Sequence, residues 1–297
     1  MPDMDPTIIL DVILGGIMMG GLYALIAVGL GLQYGVARVL NVSHGEFIMV
    51  GAFATYSLYT IYGINPLISL VISCPALFLI GVLIHRMMFE YLRRSSASAA
   101  AFEGNSLLAS FGLLFILQNL ALLVWGSDIR GYTYLSTTVN LGGAIYATNR
   151  LVALVLALII GLALYLFMAR TRLGKAIRAA AQDVNTAQLM GVNIHLTLGL
   201  CFGLGAMMAC VAGALLSMMF EITPQMGLPY TIIAIIAVVL GGLGNILASL
   251  IGGLILGLVG NIVMYVHPGL SLIAYYVIFL LLLLLKPTGI LGKRKDA

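Results

Sequence analysis

The feature that most constrains this chain is a series of long apolar runs. Residues 8–34, 66–88, 106–125, 150–169, 196–219, 247–266 and 270–286 carry few charges. Each is close to the roughly 20 residues a helix needs to cross a bilayer. Backbone inside hydrocarbon must satisfy its own polar groups, so such runs fold as packed helices. Composition points the same way: of 297 residues, 62% are hydrophobic and 8% charged, against roughly 25% charged in a soluble domain. A soluble fold could not hide that much apolar surface. The expected fold is all-α, a polytopic transmembrane helical bundle, with 1–297 as a single transmembrane domain.

Two further segments, 44–62 and 229–243, are apolar but are interrupted or flanked by glycine and polar residues. With both as crossings there are nine spans; a re-entrant segment lowers the number. Basic residues set the orientation. Arg86, Arg93 and Arg94 form one cluster, Arg170, Arg172, Lys175 and Arg178 a second, and Lys286, Lys293, Arg294 and Lys295 a third. The positive-inside rule places all three in the cytoplasm. The stretch around 126–149, with Trp125, Asp128, Arg130 and three tyrosines, then reads as the outer face. Nine spans put the N-terminus outside and the tail inside. The acidic start MPDMDPTIILD lacks a positive segment and a small-residue cleavage site, so the first run is expected to remain as a helix. The net charge of +4 resides in these loops and speaks for orientation, not nucleic-acid binding. Cys74, Cys201 and Cys210 lie in apolar runs without metal or disulfide spacing and read as small core residues.

Glycine is frequent, with 35 residues. Gly16–Gly20, Gly31–Gly35, Gly199–Gly203 and Gly253–Gly257 are small-xxx-small pairs, which let helix backbones approach closely in lipid. Packing within one bundle is the expected use. The two halves share a loose plan, GLYALIAVGL at 21–30 and GLPYTIIAII at 227–236. Each leads into a glycine-interrupted segment, and paired breaks point to a substrate site near the membrane midplane.

Three polar features stand out. The first is LNVSHGEFIMVG, 40–51, which sets His44 and Glu46 in an apolar context. Asn41 or Ser43 could cap a helix there, with Glu46 in its first turn. Ionisable groups in a span tend to face protein interior or a water-filled path. Two readings stand: a broken helix beside a transport path, or a helix start near the cytoplasmic interface with Glu46 as a cap or partner of Arg38. The second feature is 169–195. Ala176, Ile177, Ala180, Ala187 and Leu189 follow a helical pattern between Gly174 and Met190, with Gly191 as the stop. One or two short cytoplasmic helices are expected, either resting on the membrane or docking a partner. The third is AVVLGGLGNILASLIGG, 237–253, where glycines and Asn245 break an apolar segment. Close helix crossing and unwound backbone lining a cavity both fit. No phosphate-loop motif occurs, so the chain has no means of its own to hydrolyse ATP. His85 and His195 fall near the inner interface, Glu221 and His267 near the outer one, and no catalytic set converges.

In this order the three features resemble the branched-chain amino-acid permease family of ABC importers. The matching stretches are GLYALIAVGLGLQYGVARVLNVSHGEFIMVGAF (21–53), TRLGKAIRAAAQDVNTAQLMGVN (171–193), ITPQMGLPYTIIAIIAVVLGGLGNILASLIGGLILGL (222–258) and KPTGILGK (286–293), while Val42 and Ser43 depart from the family's commoner aromatic pattern. The resemblance implies a multi-pass protein of the bacterial inner membrane without catalytic residues. It implies a translocation path at Asn41, Ser43, His44, Glu46, Gly241, Gly242 and Asn245. It also implies a coupling element carrying Thr171, Gly174, Arg178, Ala179, Asp183, Ala187, Gly191 and Asn193. The implied partners are membrane lipid, a second homologous permease, two cytoplasmic ATPase subunits that hold ATP and magnesium, and a periplasmic substrate-binding protein, with no cofactor on this chain. The substrate expected is a branched-chain or other amino acid. Urea, short amides, small organic or aromatic acids, and a secondary transporter working alone are the alternatives.

Overall fold

The computed structural model describes residues 6–242, 245–286 and 289–290. It is a helical bundle. In chain order the helices are α1 (Pro6–Ala37), α2 (His44–Tyr62), α3 (Pro66–Ile84), α4 (Glu90–Ser95), α5 (Ala99–Trp125), α6 (Thr148–Arg170), α7 (Arg172–Gln182), α8 (Val184–Leu189), α9 (Ile194–Ser217), α10 (Gly227–Gly241), α11 (Ile246–Val266) and α12 (Ser271–Leu285). A π-helical turn, His85–Phe89, joins α3 to α4. Seven helical stretches are long and apolar enough to cross a membrane. Beside these seven stand α2, with 19 residues, and α10, a shorter apolar helix of 15.

Contacts fix the direction of each helix. The Tyr146 hydroxyl donates to the Asp11 carbonyl at 2.5 Å, so α1 starts on the face that carries residues 126–147. At the other end of α1, Arg93 donates to the Ala37 carbonyl at 2.5 Å. Trp125 Nε1 donates to Ser57 Oγ, and Tyr134 to Asn65 Oδ1, so α2 ends and α3 begins on the first face. Followed onward, α1, α2, α3–α4, α5, α6, α9, α10, α11 and α12 alternate. The described arginines of the first two basic clusters fall at one end, the cytoplasmic end by the positive-inside rule. Lys293, Arg294 and Lys295, like Asp3 and Asp5, lie outside the described residues.

Two helices make the centre. α1 and α9 are buried along most of their length and pack on each other. α3, α5, α6 and α12 present rows of exposed Leu, Ile and Val, the surface expected toward lipid. The small-xxx-small pairs lie at helix crossings inside the bundle. Gly16 and Gly20 meet Leu258 and Leu254 on α11, Gly253 and Gly257 meet Ala24 and Gly20, and Gly203 faces Val82 and the Phe78 carbonyl on α3. Without a hydrophobic effect between helices in lipid, such van der Waals fit holds them together. Cys201 and Cys210 are buried on α9 and Cys74 is half-buried on α3; all are free thiols.

The structure decides or alters four expectations. Residues 38–43 do not stay at the interface: they turn back into the bundle, and α2 starts deep inside it. The outer stretch is not only loop, because Thr138–Leu141 (β1) pairs antiparallel with Ala144–Ala147 (β2) over a turn at Gly142 and Gly143, both with positive φ. Of the one or two cytoplasmic helices expected in 169–195 there are two, broken at Asp183. Leu189, read as part of the apolar face, is 87% exposed, since α8 ends at that residue.

Candidate functional site

α1 ends at Arg38, which adopts left-handed backbone (φ 56°). The next five residues run back along α1 without helical bonds. The His44 ring reaches the middle of α1, where Nε2–H donates to the Ile26 carbonyl at 3.2 Å. Ile26 is about 16 Å from Ala37 at 1.5 Å per residue. The first turn of α2 is thus buried about half-way through the bundle.

Irregular backbone at that depth requires protein partners for its polar groups. Thr231 on α10 supplies two: its hydroxyl accepts from Gly45 N–H at 2.8 Å and donates to the Val42 carbonyl at 3.0 Å. Ser110 on α5 accepts from Val42 N–H at 3.2 Å. Asn41 Oδ1 accepts from the Ser43 N–H (3.1 Å) and hydroxyl (2.6 Å), and Asn41 Nδ2 donates to Gln33 Oε1 at 3.1 Å. Gln33 Nε2 in turn donates to the Phe202 carbonyl on α9 at 3.1 Å. Asn41 and Ser43 therefore brace the unwound segment, and Ser43, at the N-cap, makes no side-chain cap. Thr231→Val keeps the shape and removes the bridging hydroxyl. It should cost about 1–3 kcal/mol, the penalty for stranding a buried N–H, read as a lower unfolding midpoint in detergent.

The close approach of α2 and α10 depends on two glycines. A methyl group on Gly45 would overlap the Gly227 carbonyl oxygen, and one on Gly227 would stand 2.6 Å from the Glu46 carboxyl carbon. The Glu46 carboxyl lies over the first residue of α10 while itself occupying the first turn of α2. Two positive helix ends meet at one acid. Among the described residues, neither Glu46 oxygen nor His44 Nδ1 has a hydrogen-bond partner, and both residues are fully buried. Arg38 makes no contact with Glu46, so the interfacial pairing read from sequence is replaced by this two-helix arrangement.

The structure divides the sequence-derived path residues. Asn41, Ser43, His44 and Glu46 come together at the start of α2. Gly241, Gly242 and Asn245 lie at the opposite, cytoplasmic end of α10, about 21 Å along that helix from Gly227. There Gly241 fits against the Ala248 carbonyl, Gly242 has φ 124°, and Asn245 caps α11 by accepting from Ala248 N–H at 3.3 Å. Leu243 and Gly244 of that motif lie outside the described residues. Sequence reading passed over Gln33, Ser110, Gly227 and Thr231. A polar Gln33 in an apolar run was the one local signal; the others are recognisable only once α2, α5 and α10 are brought together.

The 171–193 loop is helical and locally capped. Thr171 Oγ1 accepts from Gly174 N–H at 3.0 Å and donates to the Phe167 carbonyl at 2.7 Å, so it caps α7 and ties it to α6. A side chain on Gly174 would collide with the Phe167 carbonyl and Met168. Ile177, Ala180 and Ala187 face inward and are buried. Asp183 caps α8, accepting from Asn185 N–H (2.8 Å), Thr186 N–H (3.2 Å) and the Thr186 hydroxyl (2.8 Å). The Thr186 and Asn185 donors hold its carboxyl below the ordinary carboxylate value, so the cap is complete at neutral pH and is lost as the pH falls through that lowered value. Gly191 ends the element with φ 85°, and Asn193 caps α9.

The family described as "Branched-chain amino acid transport system / permease component" matches residues 12–285. The branched-chain amino acid transport permease LivH of Salmonella typhimurium is 32% identical, covering 94% of each chain. BraD of Pseudomonas aeruginosa, another high-affinity branched-chain amino acid transport permease, is 30% identical over 96% of each. The ribose import permease RbsC of Escherichia coli is 34% identical over 110 residues, 35% of this chain and 34% of its own.

Proposed function

This chain belongs to the branched-chain amino acid transport permease family, and from that premise we propose that it forms half of the translocation path of an ABC importer for branched-chain or related amino acids. It is a multi-pass permease of the inner membrane. A second homologous permease completes the path, two cytoplasmic ATPase subunits bind and hydrolyse ATP, and a periplasmic binding protein delivers substrate to the outer face. The single observation that carries this reading is similarity over nearly the whole chain to permeases named for branched-chain amino acids. The sugar-permease match covers only about a third of the chain, which favours amino acids over sugars.

Within this reading, α7 and α8 are the coupling element. Thr171, Gly174, Asp183, Ala187 and Gly191 hold a short rigid body between α6 and α9, and rigid elements transmit motion that a slack loop would absorb. Leu189 and Met190 stand at its tip, 87% and 80% exposed at the polar end of the bundle. Exposed apolar residues in a polar setting mark a partner surface; here the partner is the ATPase groove.

Asn41, Ser43, His44 and Glu46 line the path in the proposed cycle, and opening between α2 and α10 uncovers the unpartnered acid. Glu46→Gln keeps the shape and removes the titratable carboxyl. It should lower uptake about tenfold, roughly 1.4 kcal/mol in the limiting step. Unaltered uptake would remove Glu46 from the path, and an unaltered pH profile would separate a binding role from a proton relay.

The proposal is tested by purifying the chain with its genomic neighbours and following ATP hydrolysis in liposomes against amino acids, urea and small acids supplied with the binding protein. Stimulation by leucine, isoleucine or valine supports it. Stimulation only by urea or organic acids moves the substrate class, and absence of any copurifying ATPase points to a transporter acting alone.

A further inference from the structure

α6 and α11 do not meet across the whole of α1. Between them runs a groove whose floor is one face of α1, from Gly21 to Gly35, about 21 Å at 1.5 Å per residue. The hydrocarbon of one leaflet is about 15 Å deep. The upper part is a cavity of about 360 Å³ lined wholly by apolar residues and glycine apart from Tyr165. The lower part, about 510 Å³, shares Tyr165 and Leu247 with it and ends at Arg178, Gln182 and Asn245. These volumes suit a small or drug-sized molecule, not another helix about 10 Å thick.

The groove is therefore apolar along its length and cationic at its cytoplasmic mouth. Arg178 bends back toward α6, donating to the Ala169 carbonyl at 3.3 Å. Arg170, Arg172 and Lys175 lie on the same helix corner, exposed to solvent. The mouth stands where the headgroups of the cytoplasmic leaflet lie. Basic pockets between helices at this level recognise anionic lipid headgroups. We propose that this groove is a binding site for an anionic glycerophospholipid of the cytoplasmic leaflet, one acyl chain lying along α1 and the phosphate held at Arg178. The site needs only that the chain spans a membrane; it does not depend on the transport reading. It links lipid to the α6–α7 corner from which the 171–193 loop projects.

Gly161 offers a clean probe. It lines the groove on α6, and an added side chain there meets nothing within 4 Å. Gly161→Leu thus fills the groove without disturbing the protein. Gly112→Leu on α5, also with open space around it, is the control. The full-length chain, purified and stripped of lipid, is titrated in native mass spectrometry with phosphatidylglycerol and with phosphatidylcholine of the same acyl chains. The unaltered chain should bind phosphatidylglycerol about fivefold more tightly, the ratio equivalent to about 1 kcal/mol for one basic residue near the surface. Gly161→Leu should remove that preferred site, Gly112→Leu should keep it, and Arg178→Gln should equalise the two lipids. Equal binding of both lipids by the unaltered chain would overturn the proposal. So would a preference that survives Gly161→Leu or Arg178→Gln. Loss of self-association in Gly161→Leu, with lipid binding unchanged, would instead make the occupant a second copy of the chain.

Discussion

Gly45→Ala is expected to prevent accumulation of folded protein in the membrane. The new methyl group would occupy the position of the Gly227 carbonyl oxygen, and neither backbone can retreat. α2 is held from one side by α9, where Gly213 already touches the Ile48 carbonyl, and α10 is held by α11 through Gly252 and the Ala237 carbonyl. Separating α2 from α10 also breaks the Gly45 N–H bond to Thr231 and strands a donor in the membrane interior. Overpacking commonly costs about 1–3 kcal/mol, and a stranded buried N–H adds about 1–3 kcal/mol. Together these approach the total stability of many proteins, about 5–15 kcal/mol. Gly112→Ala, with open space around it, should be tolerated and should gain helix propensity of about 1 kcal/mol. Comparing the folded yield of the two variants in membranes checks the claim; equal yields would contradict the described crossing.

The second large effect is expected at the tip of the coupling element. Leu189→Asp with Met190→Asp should leave the bundle intact, because both side chains are almost wholly exposed. Assembly with the ATPase should fail. Burying one such side chain is worth about 1.5–3 kcal/mol, and an unpaired charge in the same contact adds to the loss. A deficit of about 3 kcal/mol lowers affinity about a hundredfold. Pull-down of the ATPase subunits measures it directly: full recovery with the double variant would show that the tip is not the contact.

Much of this fold was legible because membrane helices declare themselves by length. The seven long runs, the orientation and the α2 bounds 44–62 need only hydropathy and basic residues. The broken segments were visible too, since glycine and ionisable residues interrupt an apolar pattern. Their mutual arrangement was not. The first turns of α2 and α10 meet through Gly45, Gly227 and Thr231, and the glycines at 241–242 lie at the far end of α10. Nothing in the spacing of a single chain tells which end of a broken helix will face another. Leu189 illustrates a different limit. Helical periodicity assigned it to a buried face, yet one break at Asp183 reset the phase, and the residue turned outward. The groove beside α1 could not be read either, because a gap between α6 and α11 is a property of packing and leaves no pattern in the chain.

In the proposed cycle this chain moves amino acids inward only as part of an ATP-driven assembly. The most direct measurement is uptake of labelled leucine into proteoliposomes that hold the chain, its partner permease and the ATPase subunits, with binding protein outside and ATP inside. Accumulation that requires both ATP and binding protein, and that competes with isoleucine and valine, is the result expected. Uptake that proceeds without ATP, or a complete assembly that ignores all branched-chain amino acids, would contradict the account.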